Sequence, residues 1–156
     1  MLSIDSLVPG FDRALADVPG ATETARILEE SVGEPTLAPH IAALVRVAVA
    51  QKVGVPYARW AMNRIAERQW VGAEDIFLAT VGTARDPVES AIVKASVRMA
   101  VIRGRSHAAE FGMLSRLLGE ARATEVVAQV ALAMLACEAL AAIAPGTGAA
   151  ARRKAA

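Results

Sequence analysis

Few side chains in this sequence carry reactive groups. His107 and Glu110 lie three residues apart, a spacing that serves general acid–base work if both face one pocket. At a helix start the same pair reads as a solvated first turn, with Glu110 complementing the positive end of the dipole. His40 follows Pro39 ahead of an apolar run, and reads either as a proton donor to a buried site or as a histidine held by a cap or an interface. Arg46 is the lone charge in that run before Lys52, so it must find a carboxylate, a helix C-terminus or a bound anion. Tyr57, Arg59, Trp60 and Asn63 follow, and the two aromatics suit packing or an interface better than a ligand-stacking box. Cys137 is the sole cysteine, which excludes an intramolecular disulfide, a CxxC pair and a thiolate metal site. It reads as a buried, inert thiol. Two histidines without an acidic pair at ligand spacing give no metal site, and neither a phosphate loop nor a nucleophile elbow occurs. No cofactor is expected.

The elements that must position these residues read as helices. The 156 residues are 54% apolar and include 35 Ala and only six aromatics, the composition of one all-α domain with a modest core. A net charge of +1 supplies no basic stripe, so nucleic acid is not an expected partner. Proline and glycine separate helix-sized blocks, and no strand-like alternation between hairpin turns appears. Seven helices are expected: Thr22 to Val32, stopped by Gly33; Ala38 to Lys52, apolar nearly all round; Pro56 to Gln69, amphipathic on Ala58, Ala61, Met62, Ile65 and Ala66; and Ala73 to Val81. A fifth runs from Pro87 to Ile102 with Asp86 as N-cap, a sixth is capped by Ser106, and a long apolar seventh runs from Thr124 to Ala144. The turn Arg122 to Val127 faintly echoes Val71 to Ile76. The stretch from Val126 to Ala144 is long enough to cross a bilayer, but Gln129 and Glu138 argue for a helix buried in a bundle or between subunits, and no membrane partner is expected. Acids at Asp5, Asp12 and Asp17 do not suit a signal peptide, so the expected location is the cytoplasm.

The order Leu44 to Gly54, Val55-Pro-Tyr-Ala58, Arg64-Ile-Ala-Glu-Arg68 and Gly72-Ala-Glu-Asp-Ile76 resembles the carboxymuconolactone decarboxylase and alkyl hydroperoxidase D (AhpD-like) family. In that family a buried helix ends in glycine and a C-x-x-C-x-x-x-H motif opens the next. The resemblance covers roughly residues 37–144, with 1–36 as an N-terminal segment holding one helix and 145–156 as a disordered tail. It implies an AhpD-like domain of six to seven helices that assembles as a homo-oligomer, a trimer or hexamer. An all-round apolar helix in so short a chain independently suggests self-association.

In this register the family's two cysteines fall on Val55 and Ala58, its histidine on Met62 and its glutamate on Ala43. A dithiol peroxidase needs a thiolate at a helix N-terminus, a resolving thiol and a proton relay. None of the four residues supplies one. The leading expectation is therefore a non-redox member, a pseudoenzyme or a small-molecule binding or scaffold protein, with Arg46, Tyr57, Trp60 and Met62 around a cavity left by the lost dyad. The alternative is a lyase or isomerase acting on a small carboxylated or lactone-like substrate, with Arg46 holding the anion and His40, Tyr57 or His107 as acid or base. That alternative requires these side chains to share a pocket.

Overall fold

The computed structural model describes residues 35–102 and 107–143, with a few single positions ahead of them. Most of the expected first helix, its Gly33 stop, the Ser106 cap and the tail 145–156 lie outside the described residues. Within them the chain is all helical, with six helices and no strand. These are α1 (Pro39–Val53), α2 (Pro56–Arg68), α3 (Ala73–Thr80), α4 (Pro87–Val101), α5 (Ala108–Leu118) and α6 (Glu120–Ile143).

Local chemistry sets most of the boundaries. Gly54, at φ +89°, closes α1 in the left-handed region, and Pro56 opens α2, where its missing N–H is not needed. Asp86 caps α4 as expected: its Oδ1 accepts from the Val88 and Glu89 N–H groups at 2.8 and 3.0 Å. One boundary differs. The last helix begins at Glu120, four residues before the expected Thr124, with only Gly119 separating it from α5. Thr124 is not a cap: its hydroxyl donates back to the Glu120 carbonyl at 3.0 Å. The segment 122–127 is therefore helix interior, and its echo of the α2–α3 turn is a coincidence of composition.

The apolar helix α1 lies at the centre, packed against α2, α3, α4 and α6. Its two sides feed two apolar clusters. Ala43, Val47 and Ala50 join α2, α3 and the C-terminal part of α6, while Val45 and Val49 join α4, α5 and the N-terminal part of α6. Helix α6 spans both clusters, because its small side chains let neighbours approach on several sides. By length and composition it could cross a membrane, but half of its apolar stretch is buried inside the fold.

Candidate functional site

The four positions singled out by the resemblance come together. Helix α2 turns Ala58 and Met62 inward, and α1 presents Ala43 to the same cluster. Ala58, Met62 and Ala43 are 0%, 1% and 2% exposed, and Val55 packs at the edge. Such burial leaves no water-accessible space beside Ala58 and Met62, so this part of the molecule is packed core rather than an open cavity. Val55 occupies the N-cap of α2 and gives no side-chain hydrogen bond to the helix end. Cys137, fully buried, belongs to the same cluster.

The polar candidates are dispersed. His40 pairs through Nε2 with Glu89 Oε1 at 2.7 Å, tying the start of α1 to the first turn of α4 at the surface. His107 takes the N-cap position of α5 without capping it, and its buried Nδ1 has no partner among the described residues. Arg46 sits on α1 between the residues that feed the two clusters, and its Nε donates to the Ala42 carbonyl at 3.1 Å. Burial lowers its pKa from the ordinary arginine value. No carboxylate pairs with it among the described residues. Tyr57 and Trp60 stack at 5.4 Å with planes 7° apart, one turn of α2 from end to end. No hydrogen bond or ion pair joins any two of Arg46, His40, Tyr57 and His107 among the described residues. A cleft of about 210 Å³ is lined by Ala48, Gln51, Lys52, Thr80, Val81, Gly82 and Val97, none of them an expected site residue. No group of three potential metal ligands occurs among the described residues.

Two polar residues matter more than their sequence positions suggest. Glu125, buried in α6, accepts from the Thr36 N–H, the Thr36 hydroxyl and the Leu37 N–H at 2.8, 2.8 and 2.9 Å, all on Oε2. It holds the chain leading into α1 against α6. In sequence it reads only as an acid near a helix start. Arg59 reaches back over the α1–α2 turn and donates from Nη2 to the Gln51 carbonyl at 3.2 Å, satisfying one of the free carbonyls at the end of α1. The chain matches no known protein family, curated protein or solved structure.

Proposed function

We propose that this chain is a non-redox protein of the AhpD-like type, a pseudoenzyme serving as a homo-oligomeric scaffold in the cytoplasm. One observation carries the reading: Ala43, Ala58 and Met62, from two helices, converge in one buried apolar cluster with Val55 at its rim. If the register of the resemblance holds, this is where a thiolate pair and its proton relay would stand. Methyl and thioether groups cannot reduce a peroxide through a dithiol cycle or relay a proton. Between the two forms of a non-redox role, the packing favours a scaffold over a ligand held at the former dyad. The lyase reading has less support, because its four residues share neither a bond nor the described cleft.

The test is hydroperoxide consumption by the purified protein with a dithiol donor, alongside native mass spectrometry for a retained small molecule. No turnover and no bound molecule are expected. Turnover above the protein-free rate would overturn the non-redox reading, and a stoichiometric small molecule would replace scaffold with binding protein.

A further inference from the structure

Among the described arginines only Arg46 and Arg59 are not exposed. Arg59 has an evident task, since its Nη2 donates to the Gln51 carbonyl at the end of α1. Arg46 has none. It stands in the middle of α1 beside Ala42, Ala43, Val45, Val47, Val49 and Ala50, each 6% exposed or less. A charge so placed must find a carboxylate, a helix C-terminus or a bound anion, and the structure removes the first two. No described carboxylate forms an ion pair with it, and the one carbonyl that it reaches, that of Ala42, lies near the start of α1 rather than its end.

The guanidinium carries its N–H donors in a rigid planar fork. Only Nε is used, and its bond back to Ala42 fixes the direction of the stem. Nη1 and Nη2 make no hydrogen bond among the described residues, and neither is sealed from solvent. Burial alone lowers the pKa of Arg46, with no neighbouring charge of either sign contributing, so a single positive unit stands there. Water can hydrogen-bond the open end of the fork but leaves its charge uncompensated.

We infer that Arg46 is an anion-binding residue and that its ligand is a small organic monocarboxylate, held through both oxygens by Nη1 and Nη2. Shape and charge choose the class. A planar carboxylate matches two parallel N–H groups, and one positive unit balances a monoanion, whereas a phosphate dianion would leave a charge in apolar surroundings. The alanine and valine neighbours suit a short hydrocarbon body. Arg46 does not line the described cleft, so the carboxylate itself is the recognised group. A side-chain carboxylate of a second copy presents the same chemistry, and the test separates the two sources. The inference is independent of the proposed function: a ligand exchanging at millimolar concentration is lost on purification, so a purified chain that retains no molecule is compatible with it.

Titration of sodium butyrate into the isotope-labelled full chain, followed by the Arg46 Nε–H signal and the α1 amides, tests the site. Wild type should show a saturable shift with a dissociation constant on the order of millimolar. Butyramide, and sodium chloride at matched ionic strength, should give none. Arg46→Lys keeps the charge without the fork and should bind about tenfold more weakly, and Arg46→Met should not bind. The urea midpoint should rise in about 50 mM butyrate for wild type and stay fixed for Arg46→Met. No saturable shift, or the same shift with butyramide or in Arg46→Met, overturns the site. Tighter binding of inorganic phosphate than of butyrate overturns the monocarboxylate. An Arg46 signal that moves with protein concentration alone assigns the fork to a carboxylate of a second copy and overturns the small-molecule source.

Discussion

Arg46 carries a charge into the apolar middle of α1 with one hydrogen bond to its own helix. A lone charge in the run before Lys52 is visible in the sequence, but the absence of a carboxylate partner among the described residues is not. Burial lowers its pKa, so the unfolded chain binds the extra proton and stability rises with pH only as pH passes upward through the lowered value. Across the neutral range the side chain is charged in both states and the penalty is constant. Arg46→Met should therefore stabilise the fold by on the order of 1 kcal/mol, equally at about pH 6 and about pH 8, in urea unfolding. A loss of stability would mean that the guanidinium has a partner. Trp70 is the opposite case: it follows the end of α2 at φ +63°, where glycine is the usual residue, and its side-chain chemistry does not announce that role. In dilute solution Trp70→Gly should relieve the left-handed strain and stabilise the chain by about 1 kcal/mol.

Element boundaries were legible wherever the sequence carries its own cap chemistry. Asp86-Pro87 placed α4 and Gly54 closed α1, because in each case a side chain or its lack satisfies the helix end locally. The start of α6 was not legible, since Thr124 has the chemistry of a cap but spends its hydroxyl on Glu120. That misplacement also hid Glu125, whose role depends on Thr36 and Leu37, 89 and 88 residues away. Glu125→Ala should cost about 3 kcal/mol in urea unfolding by leaving those donors unpaired. Glu125→Gln should cost less, because an amide oxygen still accepts. The candidate site was legible only through the resemblance, and its register can be checked on α2 itself. Val55 at the N-cap and Ala58 three residues on should form a disulfide in a Val55→Cys, Ala58→Cys variant under mild oxidant. Thiol counting should then find only Cys137, which burial protects. Two further free thiols after oxidation would count against the register.

At the scale of the molecule, the sequence announced an apolar excess without saying where it lies. The structure divides it. Alanine, valine, leucine and methionine fill both clusters, while all five described aromatics, Tyr57, Trp60, Trp70, Phe77 and Phe111, are partly or largely exposed. A core of small side chains brings helices close but leaves the largest apolar groups for the surface, and periodicity alone cannot distinguish that from ordinary burial. If copies of the chain associate as proposed, folding and association are linked, and the thermal midpoint must depend on protein concentration. The midpoint should rise as the concentration goes from about 1 to about 100 μM. A flat midpoint would mean that the fold is fully stable as a single chain.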